Sequence, residues 1–147
     1  MLKTGGENLD ARLLRFRTEP ATEDAIKLAE HLLASARASD ALEVASAHLV
    51  RSPGDALALV AAGRASMAMG DLLRAQQALM QAAKLAPDDK APFRWLGEVL
   101  LKRGDPARAV KVLEKAKSTG GSDREVDALL ARATRFARLA ADEGSTG

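Results

Sequence analysis

The side chains best suited to metal binding or acid–base chemistry are two histidines, and their spacing keeps them apart. His31 and His48 lie 17 residues from each other on different predicted helices. A metal pair on one helix needs a second ligand three or four residues away. The carboxylate closest to that spacing is Glu43, five residues before His48. We therefore interpret both histidines as partly exposed helix residues and predict no metal site.

Patterns for nucleophilic catalysis and phosphate binding are missing as well. The chain has no cysteine, which removes thiolate nucleophiles and thiolate metal sites. Gly63 and Gly97 have neither a preceding strand nor a following Lys-Ser/Thr pair, so they do not form a phosphate-binding loop. No serine lies in a nucleophile elbow, and the pair Asp88-Asp89 stands at a predicted helix start, where carboxylates act first as caps. We predict a noncatalytic protein without a cofactor.

Length and composition are typical of one soluble helical domain. The 147 residues are 47% hydrophobic, and these are mainly Ala and Leu, which favour helices, whereas the Val and Ile that favour strands are sparse. No apolar run approaches the roughly 18 residues of a membrane helix, and residues 1–7 do not resemble a signal peptide. We expect no membrane insertion and a cytoplasmic location. The Ala/Arg-rich composition also suits a bacterial source.

The charge is nearly balanced, with one locally basic stretch. The formal net charge is +2, too small to indicate nucleic acid as the partner. The stretch 102–117 contains six cations and no aromatic residue that could stack on a base. We interpret it as a solvated helix face, which makes nucleic-acid binding the less favoured function.

Small and apolar residues recur at a fixed offset of 34. The series Gly63, Gly70-Asp71, Ala75, Leu79 and Ala82 is repeated by Gly97, Gly104-Asp105, Ala109, Leu113 and Ala116. Self-similarity at a period of 20 to 50 residues indicates stacked structural repeats. Ala29, Ala41 and Pro53 lie on the same grid one period earlier.

These residues resemble the tetratricopeptide repeat, a 34-residue helix–turn–helix unit. The resemblance implies an all-α, right-handed α-α superhelix with units at 22–55, 56–89 and 90–123. The first unit departs from the pattern, because Ala45 and His48 stand where a larger apolar residue and Ala are expected. This departure puts the internal packing of that unit in question.

Helical periodicity and capping residues predict the helices independently. Apolar residues at spacings of three and four, glycines that can end helices and aspartates that can cap them (Asp55, Asp71, Asp88 and Asp105) define the boundaries. We predict seven helices, at 22–36, 39–51, 55–69, 71–85, 89–103, 105–118 and 122–141. Residues 124–141 of the last helix follow the third unit, and we expect them to form a capping helix that shields the final repeat from water.

The two ends lie outside the repeats. Within the N-terminal segment 1–21, Leu9, Leu13 and Phe16 have helical spacing. Residues 8–17 are therefore either the second helix of a partial repeat, a mobile arm, or a segment that folds into the binding groove. We expect flexible ends at residues 4–6 and 142–147, and the chain can be a piece of a longer protein.

The resemblance implies a concave surface lined by the first helix of each unit. Carried over unit by unit, its partner-binding positions are Ile26, Lys27, Glu30, Val60, Arg64, Met67, Arg94, Trp95, Glu98, Leu101 and Arg132. Leu33, Ala61, Leu129 and Phe136 extend this surface. Trp95 is either the anchor for a partner or ordinary core between repeats, and both interpretations stay open. The Lys and Asn positions with which one subclass holds a terminal carboxylate are not matched.

We therefore predict a protein-interaction module that binds a peptide or helix of a partner protein. Its expected role is that of an adaptor or scaffold in a bacterial multiprotein assembly. The alternative is a secretion or assembly chaperone of the same repeat type, which has a similar size. The chain alone does not identify the partner or the oligomeric state.

Overall fold

The polypeptide folds into helices joined by short turns. The computed structural model describes residues 8–121 and 123–146, which contain eight α-helices and no β-strand. The helices are α1 Leu9–Thr18, α2 Ala25–Ala34, α3 Ala38–Arg51, α4 Ala56–Ala68, α5 Leu72–Leu85, α6 Lys90–Lys102, α7 Pro106–Gly120 and α8 Arg124–Thr146, with a 3₁₀ turn at Pro20–Thr22. The predicted all-α class is confirmed.

Each helix packs against the next along the chain, and the even-numbered helices α2, α4, α6 and α8 also contact one another in that order. The contacts α2–α4, α4–α6 and α6–α8 make these four helices an inner layer. The pairs α2–α3, α4–α5 and α6–α7 fall within the units expected at 22–55, 56–89 and 90–123. The exact number of repeats and their boundaries stay a prediction.

Glycines set the distance within two of the helix pairs. A Cβ atom built on Gly63 would lie 2.6 Å from Cγ of Leu79, and one built on Gly97 would lie 2.5 Å from Cγ of Leu113. Both leucines are fully buried. The absence of a side chain at each glycine therefore makes room for a leucine of the following helix.

The turns within the helix pairs share a left-handed residue at intervals of 34. Gly70 and Gly104 have φ of 84° and 79°, and the N–H of the next residue reaches back to the carbonyl five residues earlier, as in Asp71 to Ser66 at 2.9 Å. Ala36 occupies the equivalent place with φ of 60°. The first pair thus has the same turn without the glycine that suits it.

Aspartates begin most of the helices. Asp55, Asp71 and Asp105 accept hydrogen bonds from backbone N–H groups of the first turn, as expected. The prediction for Asp88 is wrong by one position, because Asp89 caps α6 with a bond of 3.0 Å from the N–H of Ala91. Chain geometry in the turn after α5 decides which of two adjacent carboxylates reaches the helix.

Residues 8–17 form a packed helix rather than a mobile arm. Leu13 and Phe16 of α1 are buried in a core cluster with residues of α2, α3 and α4. The guanidinium group of Arg17 donates two hydrogen bonds of 2.7 Å to the carboxylate of Glu43 on α3. Because α1 packs on α2 and α3, it is part of the folded chain, and its interpretation as the second helix of a partial repeat stays a prediction.

The last helix is longer than predicted. The sequence predicts a helix to residue 141 and a flexible tail over 142–147, but α8 continues to Thr146. The Ala-rich turn before the tail favours helix, and Gly144 does not adopt the positive φ with which glycine ends a helix. Residues 1–7, Ser122 and Gly147, including part of the expected flexible ends, lie outside the described residues.

Candidate binding groove

The inner layer contains a depression centred on one tryptophan. It has a volume of about 370 Å³ and is lined by α2, α4 and α6 through Leu33, Arg64, Met67, Ala68, Trp95, Glu98 and Lys102. We call it the Trp95 depression. It brings together four of the predicted partner-binding residues, namely Arg64, Met67, Trp95 and Glu98. Lys102, which the sequence assigns only to the basic stretch, joins them because it follows Glu98 by one helical turn.

Trp95 is partly buried and contacts both the core and the depression. Its indole packs against the core cluster shared by α4 to α8 and also lines the depression. Two guanidinium groups lie over the ring, with Cζ of Arg94 at 3.9 Å and Cζ of Arg64 at 4.5 Å from the ring centroid. Such cation–π contacts stabilise the cations by about 0.5–2 kcal/mol each, more where water is excluded. The arrangement combines the two interpretations that the sequence left open.

Arg64 is a cation in a partly desolvated place. Burial lowers the pKa of Arg64, and the nearby charge of Arg94 lowers it further, whereas Glu30 and Glu98 act in the opposite direction. Among the described residues, Arg64 has no hydrogen-bond or salt-bridge partner, and its contact is the stacking on Trp95. Its guanidinium donors therefore stay available to a ligand.

Arg94 connects the depression to α8. Its guanidinium forms a salt bridge with Glu125, while its buried Nε atom has no hydrogen-bond partner. One turn earlier, Lys90 forms a second bridge from α6 to Asp123 at 2.9 Å. This bond, followed by backbone N–H groups of α8, lowers the pKa of Asp123. The two bridges hold the start of α8 against α6.

Other predicted partner-binding residues lie around or away from the depression. Lys27, Glu30 and Arg132 are exposed. Leu101 is half-buried against the core cluster shared by α4 to α8, called the second core cluster below. Ile26 lines a different cavity, of about 580 Å³, between α1, α2 and α3. The inner-layer helices thus carry a surface broader than the depression.

Val60 is a correction to the predicted surface. It is only 8% exposed and belongs to the second core cluster, and its neighbour Ala61 is also buried. The reason is that α4 is the central helix, enclosed by α2, α3, α5 and α6. A helix that packs against four others buries more of its surface than a helix at the end of the layer.

The histidines make local contacts. His31 Nδ1 lies 2.7 Å from Nη1 of Arg12, and His48 Nε2 lies 2.8 Å from Oδ2 of Asp55, the cap of α4. Burial on its own raises the pKa of Asp55, but hydrogen bonds from His48 and from backbone N–H groups outweigh this effect and leave the pKa lowered. Glu43, the carboxylate nearest to helical spacing from His48, binds Arg17 instead, and no helical spacing points to Asp55, because it follows His48 after a turn.

Within the described residues, no group of three or more His, Cys, Asp or Glu side chains could hold a metal ion. None of the described helices combines the length and apolarity needed to cross a membrane.

Part of the basic stretch is paired within the chain. Arg103 donates to Gln76 at 2.5 Å, and Lys117 lies 3.7 Å from Asp127.

Comparison with known proteins agrees with the helix-pair architecture. Residues 66–133 match the tetratricopeptide repeat family model. No curated protein sequence matches the chain significantly.

Among solved structures, the Sgt2 tetratricopeptide-repeat domain from Aspergillus fumigatus is 21% identical with a TM-score of 0.72, covering 84% of this chain and 80% of that one. The second tetratricopeptide-repeat domain of human RPAP3, solved in complex with an HSP70 peptide, is 14% identical with a TM-score of 0.70, and the match covers 75% of this chain and 92% of that one. The Yersinia enterocolitica type III secretion translocator chaperone SycD is 20% identical with a TM-score of 0.69, and the match covers 96% of this chain and 97% of that one. Residues 66–133 are therefore similar to tetratricopeptide repeats, and the chain has the fold of a tetratricopeptide-repeat solenoid.

Proposed function

We propose that this protein is a noncatalytic interaction module that binds a short segment of a partner protein on its inner layer. The observation that carries the proposal is the partly buried Trp95 in an open depression beside apolar and charged side chains. Tryptophan and arginine dominate the energetics of protein interfaces because a rigid ring buries a large apolar area. The similarity to a domain solved with an HSP70 peptide supports a peptide as the ligand.

The role that we favour is that of an adaptor in a bacterial multiprotein assembly, acting in the cytoplasm. The alternative is a secretion or assembly chaperone, and the similarity to SycD over almost the whole of both chains favours keeping it. An adaptor binds a folded component through one defined segment. A chaperone, in contrast, lowers the aggregation of an unfolded client at stoichiometric amounts, so light scattering of the identified partner separates the two roles.

Selection from a random peptide library tests the binding function directly. We expect the wild-type protein to select peptides whose affinity falls about 30-fold or more in Trp95→Ala, the loss of an interface anchor worth at least about 2 kcal/mol. Fluorescence anisotropy with the selected peptides gives the dissociation constants. Leu73→Ala is the matched control, since Leu73 is an exposed apolar residue on α5, and it should bind as wild type does.

Two outcomes count against the proposal. One is a set of peptides that bind Trp95→Ala and wild type equally well, which places recognition elsewhere. The other is that no peptide is selected. If Trp95→Ala loses its helical circular dichroism, Trp95 acts mainly in the core. In that case Met67→Ala, which truncates a half-buried side chain of the same depression, takes over as the test.

A further inference from the structure

Cations outnumber anions around the Trp95 depression, where Arg64 and Lys102 stand beside the single carboxylate of Glu98. Arg64 from α4 and Arg94 from α6 stack on the same indole, and Lys102 lines the same depression. Arg94 has Glu125 as a partner, but among the described residues Arg64 has no salt bridge. Two cations on one ring repel each other, and the cation–π contacts offset this repulsion only in part.

The hydrogen-bonding capacity of the two guanidinium groups is also incompletely used. Arg94 Nε is buried without a partner, and Arg64 makes no hydrogen bond to a described residue. Buried polar groups are nearly always hydrogen-bonded, and charged ones gain most from a charged partner. A planar guanidinium matches a carboxylate in particular, because two parallel N–H donors meet its two oxygen atoms.

We infer that the bound segment places the carboxylate of an internal Asp or Glu against Arg64 and Arg94, beside Trp95. This inference rests on the proposed function and adds the chemistry of the partner. A carboxylate at this point would supply the salt-bridge partner that Arg64 lacks and screen the repulsion between the two arginines. The partner is thus recognised by one charged contact placed next to the apolar ring.

The surroundings define what flanks that acidic residue. Leu33 and Met67 line the same depression, so apolar side chains beside the acid would be buried there. Glu30 and Glu98 lie close enough to act on Arg64 and would repel a run of acidic residues. The depression is lined by α2, α4 and α6, while the inner layer continues to α8. A bound chain can therefore extend past the depression towards α8, which is compatible with a carboxylate from a side chain within the segment rather than from a chain end.

The test uses peptides selected from the random library, synthesised with acetylated and amidated ends. We expect an Asp or Glu to be enriched at one position and its replacement by Gln or Asn to raise the dissociation constant about tenfold or more, as for a lost charged hydrogen bond. The same peptide change should cost less than about threefold in Arg64→Gln and in Arg94→Gln, because the partner of the carboxylate is gone. In Arg64→Lys, which keeps the charge without the planar fork, the cost of the peptide change should lie between that in wild type and that in Arg64→Gln.

Arg74→Gln is the matched control, because Arg74 is an exposed arginine of α5 that does not line the depression. In this variant the peptide change should raise the dissociation constant as much as in wild type. The inference is overturned if the selected peptides show no acidic preference or if the peptide change costs the same in all variants. It is also overturned if binding requires a free terminal carboxylate or a phosphoserine. Peptides that depend on Trp95 but not on an acid overturn this inference alone, whereas peptides independent of Trp95 overturn the proposed function too.

Discussion

Replacing Gly97 by alanine tests the close approach of α6 and α7. The new Cβ would lie 2.5 Å from both Cγ and Cδ2 of Leu113 and 3.1 Å from Cδ1, well inside van der Waals contact. Leu113 is fully buried, so it cannot move away freely. Overpacking of this kind costs about 1–3 kcal/mol, and the severity of the clash puts Gly97→Ala at the upper end.

Alanine is also the better helix former, which makes the sign of the result informative. The gain in helix propensity over glycine is about 1 kcal/mol, so we expect a net loss of about 2 kcal/mol in the free energy of unfolding. Urea denaturation followed by circular dichroism measures this loss. Gly54→Ala is the control, because a Cβ at Gly54 meets nothing within 4 Å, and its effect should stay within about 0.5 kcal/mol.

A double mutant isolates the contact itself. Leu113→Ala alone leaves a cavity and should cost about 2–5 kcal/mol. It also removes the three atoms that the new Cβ meets. We therefore expect Gly97→Ala with Leu113→Ala to cost at least about 1 kcal/mol less than the sum of the single changes. Strict additivity, or a Gly97→Ala protein more stable than wild type, would refute the packing argument.

Further predictions concern turns and caps. Ala36→Gly should raise the free energy of unfolding by about 0.5–1 kcal/mol, because φ of 60° strains alanine, and an unchanged urea midpoint would contradict this. Asp71→Ala should lower it by about 1 kcal/mol through loss of a cap, while Asp88→Ala, an exposed residue that caps no helix, should not. The pKa of Asp55 is lowered in the folded state, so its contribution is present above its unfolded pKa of about 4 and is lost as pH falls through the folded value. The stability gap between wild type and Asp55→Asn, which keeps the cap, should therefore close on acidification, and a gap independent of pH would argue against the His48 pairing.

Helix positions could be predicted from the sequence because their causes are local. Apolar spacing within α5 and α7 reports which face is buried, and Gly70-Asp71 and Gly104-Asp105 end one helix and begin the next through contacts a few residues apart. The same locality explains the errors. The strained turn at Ala36 carries no local signal, because a positive φ at alanine depends on what the rest of the chain tolerates. The continuation of α8 to Thr146 follows the helix propensity of the Ala-rich turn before it, although a glycine at 144 favours an earlier end.

The candidate binding surface could be predicted only in outline. The resemblance implies positions on the first helix of each pair, and the period of 34 repeats them along the chain. The choice among them required the packed structure, which buries Val60 in the central helix and brings Arg64 to Trp95 from a different helix.

The amino-acid sequence by itself thus determined that the chain forms paired helices with small residues at their contacts, because helix period, turn chemistry and side-chain size act over short distances. Only the tertiary structure decided which charged groups lose water together. Arg64 is partly buried and is repelled by the charge of Arg94 because α4 packs on α6. The two residues are too far apart along the chain for a local sequence pattern to predict their contact.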